Sequence, residues 1–242
     1  MRSLIRQTTG KSFVEPEFAR HYYEAARGNH WWFRGRRDLI IELLRYTGAQ
    51  SGVVLDLGAG SETLFPATFD VVKLDLVRPT GDLPHFVRAA ASSLPFRSGI
   101  FSGVGAFDLL EHVDDVTHLI AEVKRVLKPG GFVLVTVPAH QWLWSPHDVR
   151  VGHVRRYNRK ALRQIFEAAL LEVKWCGSFF GFLLPAAILR KLFRLSPEMV
   201  DPAPILNRFL GLIASRSARS AARDRRPGLS IGLVATVGGD AS

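Results

Sequence analysis

A chain of 242 residues with 47% hydrophobic side chains suits one α/β domain plus an elaboration, and excludes a disordered polypeptide. Its single cysteine, Cys176, excludes a disulfide framework and a cysteine-rich zinc site, so a reducing cytoplasm is the expected setting. The formal charge of +10 is uneven: residues 1–37 hold 8 basic and 3 acidic side chains, 38–149 hold 8 and 13, and 150–242 hold 16 and 6. Basic ends suit a solvated surface, nucleic acid, anionic lipid or an acidic ligand. No RNA-binding signature is present, so nucleic acid is the less favoured partner. Arg2 and Arg6 are not followed by an apolar core, and no secretion signal is expected.

In chain order, residues 1–37 read as an N-terminal cap segment ending in the aromatic run Trp31, Trp32, Phe33. Val53–Leu57 is a short apolar run rich in β-branched residues, the pattern of a buried parallel strand. Val71–Leu76, Phe86–Ala89 and Gly103–Asp108 are read as the next three strands. The segment Leu76–His85, broken by Pro79, Gly81 and Pro84, is expected to lack a full crossover helix. From Val113 the period changes: Val113, Val116, Leu119, Ile120, Val123, Val126 and Leu127 fall at helical spacing, with Asp114 or Asp115 as N-cap. Lys128-Pro129-Gly130-Gly131 should stop that helix, and Phe132–Val137 should be a fifth strand. Asn158 can cap a helix over 159–170, followed by strand character in Leu171–Trp175 and a last strand at Leu229–Val237.

Alternating strands and helices imply a mostly parallel sheet covered on both faces, over 38–175. Residues 176–226 break the plan and read as a helical insertion before the last strand and tail, 227–242. Its run Phe179–Leu189 is 11 residues long, too short for a bilayer span of about 20. Ile205, Leu206, Phe209, Leu210 and Ile213 mark an amphipathic helix whose later turns carry Arg216, Arg219 and Arg223. The insertion can be a cap packed over the sheet, a lid over an apolar substrate, or a peripheral contact on the inner membrane face.

In an open parallel sheet, ligands sit beyond the carboxyl ends of the strands at the switch point. Gly58, Ala59 and Gly60 follow the first strand there, and Asp75 closes the second, 15 residues beyond Gly60. A glycine turn lets backbone N–H groups approach a ligand, and a carboxylate at that place can accept both ribose hydroxyls. The pair reads as a nucleoside site.

The ordered stretches Val-Leu-Asp-Leu-Gly-Ala-Gly (54–60), Val-Lys-Leu-Asp (72–75), Ser-Leu-Pro-Phe (93–96), Phe-Asp-Leu-Leu-Glu-His-Val (107–113) and Arg-Val-Leu-Lys-Pro-Gly-Gly (125–131) resemble class I S-adenosylmethionine-dependent methyltransferases of the type 11 kind, over roughly residues 30–175. The stretches 30–37 and 143–157 resemble one subgroup of that family. The resemblance implies a Rossmann-like seven-stranded sheet with an antiparallel last strand, and S-adenosylmethionine as methyl donor, leaving S-adenosylhomocysteine as product. It also implies that Asp56 and Gly58–Gly60, with Ala59 between, cradle the methionine part, and that Asp75 holds the ribose. Ser92, Ser93 and Leu94 would flank the adenine, and Phe107 and Asp108 would close the site. Two positions depart from the pattern: Glu62 stands where a third glycine is common, and Ala90 where an acid often holds the adenine amino group.

Methyl transfer is an in-line displacement, so most of the work is alignment. Trp31, Trp32, Trp142, Trp144 and Tyr157 are expected to form a pocket wall and entrance clamp, and Arg34 or Arg37 to pair with the cofactor carboxylate. For a hydroxyl acceptor, His147 is the preferred base with Asp148 as its orienting partner; His153 and His112 are rivals. Asp108, Glu111 and His112 echo a metal cluster of some quinone O-methyltransferases, but no metal is expected. The acceptor is expected to be a small molecule or lipid-like. The alternatives are a catalytically idle S-adenosylmethionine-binding protein and an RNA methyltransferase. A nicotinamide oxidoreductase would want Gly-x-Gly-x-x-Gly, whereas 58–63 read Gly-Ala-Gly-Ser-Glu-Thr.

Overall fold

Strand parity organises the molecule. A computed structural model describes residues 30–60, 62–76, 84–193, 202–221 and 226–238. The strands are β1 (Gly52–Leu57), β2 (Phe69–Asp75), β3 (Phe86–Arg88), β4 (Phe101–Phe107), β5 (Leu127–Pro138), β6 (Leu171–Phe179) and β7 (Ser230–Val237). They form one sheet in the order β3-β2-β1-β4-β5-β7-β6, with β7 antiparallel to both its neighbours and the other pairs parallel. Alternate residues point to opposite faces. On one face Leu55, Leu57, Val133, Val135, Ile231 and Leu233 share a core. On the other, Val54, Phe132, Leu134 and Val234 do. Two covered faces are why these strands read as unbroken apolar runs.

Helix α1 (Trp31–Leu44) covers the second face, together with α6 (Pro204–Ser220). The first face is covered by α2 (Val116–Val126) and α4 (Arg159–Ala168). The short helices α3 (Pro146–Val151) and α5 (Leu184–Leu192) lie outside both layers. Asp115 caps α2 by accepting from the His118 N–H, and Asn158 caps α4 by accepting from the Ala161 N–H, as their sequences predict. β1 sits between β2 and β4, so the strand order reverses at its carboxyl end and opens a crevice there.

Helix α2 starts at Val116, where its Asp115 cap predicts, after a 3₁₀ turn over Leu110–His112. Three features differ from the sequence expectation. Helix α2 ends at Val126, and Leu127 already pairs with Phe101. The Lys-Pro-Gly-Gly stretch therefore bends the start of a strand, with Gly130 at φ +71°, where a helix end was expected. β6 runs on to Phe179, so the insertion begins four residues later than 176. Helix α1 runs without a break through 37–38, where a segment boundary was expected. Arg2, Arg6, Arg223 and the stretch 77–83 lie outside the described residues.

Helix α6 turns its small residues inward and leaves Leu210 and Ile213 of its apolar stripe only half-buried. Gly211, Ala214, Ser215 and Ala218 are its covered residues, while Ile205, Leu206, Phe209 and Leu212 face solvent. Small residues win because α1 comes close. A Cβ at Gly211 would fall 2.0 Å from Nη2 of Arg34, and one at Gly35 would fall 2.6 Å from Cβ of Ala214.

Candidate active site

The glycine turn folds back on the end of β2. The N–H groups of Gly58 and Ala59 donate to the Leu74 carbonyl at 2.8 and 3.3 Å, and that of Gly60 donates to Oδ2 of Asp75 at 3.0 Å. Gly58 and Gly60 adopt φ of +69° and +55°, and a Cβ at Gly58 would meet Leu109 at 3.0 Å. Glycine is needed there on both counts. Asp56 is buried inside the turn. Burial pushes its carboxyl up to about 7, against the opposing hydrogen bond from Thr63 and the charges of Lys73 and Arg36. A carboxyl poised at neutrality in a nearly dry site favours a cationic ligand, which would draw it into the charged form.

Across the crevice, α2 holds the loop over 92–96. The His118 ring donates from Nε2 to the Ser92 carbonyl at 2.8 Å, the Leu94 N–H donates to Oε2 of Glu122 at 3.0 Å, and Arg125 reaches the carbonyls of Phe96 and Leu94. Arg125 and Glu122 are paired at 2.6 Å, and hydrogen bonds from Arg125 hold the Glu122 carboxyl down at about 2. Ser93 donates from its N–H to the carbonyl of Ala90, the position without the family acid.

At the end of β4, Asp108 takes φ +52° and accepts from Oγ1 of Thr136 at 3.0 Å. Its other oxygen is 3.0 Å from Nη2 of Arg36, a buried arginine that also donates to Thr136. Arg36 is thus the arginine of α1 that reaches the strand ends. Arg34, the expected one, lies instead across α6 and donates to the Arg208 carbonyl. About half a helical turn separates the two fates, since residues two apart in a helix cannot share a face.

The 3₁₀ turn after Asp108 carries Glu111 and His112. Glu111 is 0% exposed, and neither carboxyl oxygen has a hydrogen-bond partner. Burial, then repulsion from Asp108, pushes its carboxyl well above the usual glutamate range, which favours the protonated form. Burial, then the neighbouring His153, lowers His112 to about 3. Its Nδ1 faces the Gly152 carbonyl at 3.2 Å, which only accepts, so Nδ1 carries the proton and Nε2 the lone pair. His153 stacks edge-on against His112 and places Nε2 at 3.8 Å from Glu111.

Asp148 fixes the other side of His153. Its Oδ1 accepts from Nδ1 of His153 at 2.8 Å and from Nε of Arg156 at 2.7 Å. Its Oδ2 accepts from the Ser145 N–H and hydroxyl and from Nη2 of Arg156 at 2.9 Å. Burial opposes this charge, but the bonds from His153 and Arg156 outweigh it and hold the carboxyl far below its ordinary range. The expected pairing of His147 with Asp148 is replaced by His153. Ser145-Pro-His-Asp forms the helix-opening box of α3, which turns the Asp148 carboxylate inward. His147 is partly buried, and burial lowers its ring to about 4.

The expected aromatic clamp divides. Tyr157 is 4% exposed and donates its hydroxyl to the Leu110 carbonyl, forming the floor beneath the turn that bears Glu111. Trp31 and Trp32 pack edge-on to each other, and Trp32 lies 4.9 Å from the ring of Phe180. Trp144 is half-buried; Trp142, at 51% exposure, lies 5.5 Å from the ring of His140. Phe107 belongs to the core beneath β4. The sequence reading missed Arg36, Thr136 and Arg156. Only Arg156 leaves a trace, through the Ser-x-x-Asp signature that predicts where its partner carboxylate turns.

Asp56, Asp75 and Asp108 converge with Arg36 on one crevice, a charge pattern that fits a nucleoside carrying a cationic centre, an amino group and a carboxylate. Asp148, His153 and the buried Glu111 add groups that can exchange protons. Glu111, His112 and His153 offer ligand atoms within 4.8 Å of one another, which could hold a divalent cation as well.

The methyltransferase-domain family matches residues 21–174. Over 168 residues the chain is 27% identical to a probable S-adenosylmethionine-dependent methyltransferase of Mycolicibacterium smegmatis, covering 63% of this chain and 64% of that one. Over 135 residues it is 28% identical to the ubiquinone biosynthesis O-methyltransferase of Xanthomonas oryzae, covering 44% and 55%. The chain therefore spans less than two thirds of the length of either relative. Its fold superposes with a TM-score of 0.58 on the Haloferax volcanii chain solved in complex with the Trm112 methyltransferase activator, at 18% identity over 92% of this chain and 96% of that one.

Proposed function

Because this chain belongs to the class I S-adenosylmethionine-dependent methyltransferases, we propose that it moves a methyl group from S-adenosylmethionine to a hydroxyl oxygen of a small, apolar or lipid-like acceptor. S-adenosylmethionine brings the activated methyl group on its sulfonium. Asp75 would hold the ribose, Asp56 and the Gly58–Gly60 turn the amino acid end, and Arg36 with Asp108 would close the crevice. The observation that carries the choice of oxygen is the Asp148–His153 pair. Asp148 keeps the proton of His153 on Nδ1, which leaves Nε2 as a lone pair at the end of β4. His153 can take the acceptor's proton onto Nε2, and the buried Asp148 charge stabilises the imidazolium that results. Arg156 fixes Asp148 rather than touching the acceptor. The Xanthomonas relative, named for O-methylation in quinone biosynthesis, supports an oxygen acceptor of that chemical type.

The test is transfer from a tritiated-methyl donor to lipid, RNA and soluble pools of a fractionated lysate. The wild-type chain should label the lipid or small-molecule pool, and Asp75→Ala should abolish donor binding in calorimetry. His153→Gln should bind the donor normally and lose about 10²–10⁴-fold in transfer. Wild-type transfer by that variant would remove His153 as base, and donor binding without transfer to any pool would favour an idle binder. The spacing of Glu111, His112 and His153 favours a second reading, in which a divalent cation polarises the acceptor oxygen. In that case a chelator would suppress transfer that the first reading leaves intact.

A further inference from the structure

We propose that the face formed by α5, the start of α6 and Trp142 docks on an anionic lipid bilayer. Helix α6 packs its small residues on α1 and presents Ile205 at 85% exposure, with Phe209 and Leu212 one and two turns on, to solvent. Three bulky side chains on one solvent-facing stripe are unfavourable in water. The end of α5 repeats the pattern with Leu192 and Phe193, both about two-thirds exposed or more.

Among the described residues of the two helices, the charges are all of one sign. Pro204–Ser220 contains Arg208, Arg216 and Arg219, all exposed, and no acid; Leu184–Leu192 contains Arg190 and Lys191, and no acid. Apolar side chains rimmed by cations match a bilayer interface, where acyl chains take the first and anionic headgroups the second. A second copy of this chain would bring the same cations against themselves. RNA would satisfy the arginines and leave the apolar stripe in water. Neither helix is long and apolar enough to cross a membrane, which fits a helix lying in the interfacial plane.

Position ties the face to the crevice. Lys191 donates to the carbonyl of Trp142, in the segment that follows the carboxyl end of β5. Trp31 joins both parts of the insertion: its N–H donates to Oδ1 of Asn207, and its ring packs on Phe182. The exposed Trp142 has the amphipathic ring that settles at headgroup depth. The docked chain would thus hold its strand ends toward the lipid surface.

The experiment is vesicle flotation of the full chain, with phosphatidylcholine alone and with equal parts phosphatidylcholine and phosphatidylglycerol. Flotation is expected with the anionic vesicles only, and should collapse at about 1 M salt, where the Debye length is near 3 Å. Phe209→Glu with Leu212→Glu should cut the bound-to-free ratio at least about tenfold, with donor binding and circular dichroism unchanged. Arg208→Glu with Arg216→Glu should do the same through the cations. Equal flotation of both double variants overturns the proposal, as does failure of the wild-type chain to float. A wild-type chain that elutes as a dimer, becomes monomeric on Phe209→Glu/Leu212→Glu and never floats would assign the face to self-association. Retention on RNA that is insensitive to the apolar substitutions would assign it to nucleic acid. Because flotation reads binding alone, its failure leaves the methyl-transfer reading standing, and the reverse holds too.

Discussion

Replacing Asp148 by asparagine isolates the electrostatic centre of the proposed site. The carboxylate is 0% exposed, and every group bonded to it is a donor: His153 and Arg156 on Oδ1, and Ser145 and Arg156 on Oδ2. An asparagine of the same shape must turn its NH₂ toward one of those sets in either orientation, so at least two donors lose their acceptor. It also leaves the Arg156 guanidinium, itself only 11% exposed, without its counter-charge. Breaking a buried ion pair from one side costs about 3–5 kcal/mol. For a chain of this size about 1 kcal/mol moves Tm by about 2–4 °C, so the expected drop is about 6–20 °C. Differential scanning calorimetry of Asp148→Asn, with Glu167→Ala as the control for an exposed pair, reads the difference. The Arg163–Glu167 pair lies on the surface, and its loss should cost about 0.5 kcal/mol or less. In the same variant the His153 ring should lose its fixed Nδ1–H form, visible in nitrogen-15 imidazole shifts. A Tm change no larger than that of the control would refute the reasoning.

Burial raises the folded-state value of Asp56 from 3.8 to about 7. A raised value gives stability that is complete below the ordinary pKa and lost as pH rises through about 7. The urea midpoint of the donor-free protein should therefore fall across that window, and Asp56→Asn should flatten the fall; an unchanged slope would count against it. Donor binding near pH 7 should also release a proton, read by calorimetry in buffers of different ionisation enthalpy. Glu122 moves the other way, down to about 2 through hydrogen bonds from Arg125. Its contribution is present above 4.5 and lost as pH falls through about 2, so its carboxyl carbon resonance should titrate far below that of an ordinary glutamate. An ordinary titration midpoint would release the 92–96 loop from that anchor.

Local chemistry by itself determined a good part of this protein. Short apolar runs located every described strand, because these strands are covered on both faces; the 3.6-residue spacing located α2 and α6, and the Asn158 cap located α4. The glycine turn and Asp75 marked the crevice, because a sharp turn after a buried strand leaves few residue choices. The tertiary structure decided the rest. Arg36 meets Thr136 across 100 residues, and His153 meets Glu111, only because the sheet order sets β4 beside β5 and the 3₁₀ turn after β4 against the loop after β5. No spacing along the chain encodes those distances. The facing of α6 follows the same logic: an apolar stripe predicts that a helix is amphipathic, but the close approach of α1 selects which face is covered. Small residues fit that gap and bulky ones do not.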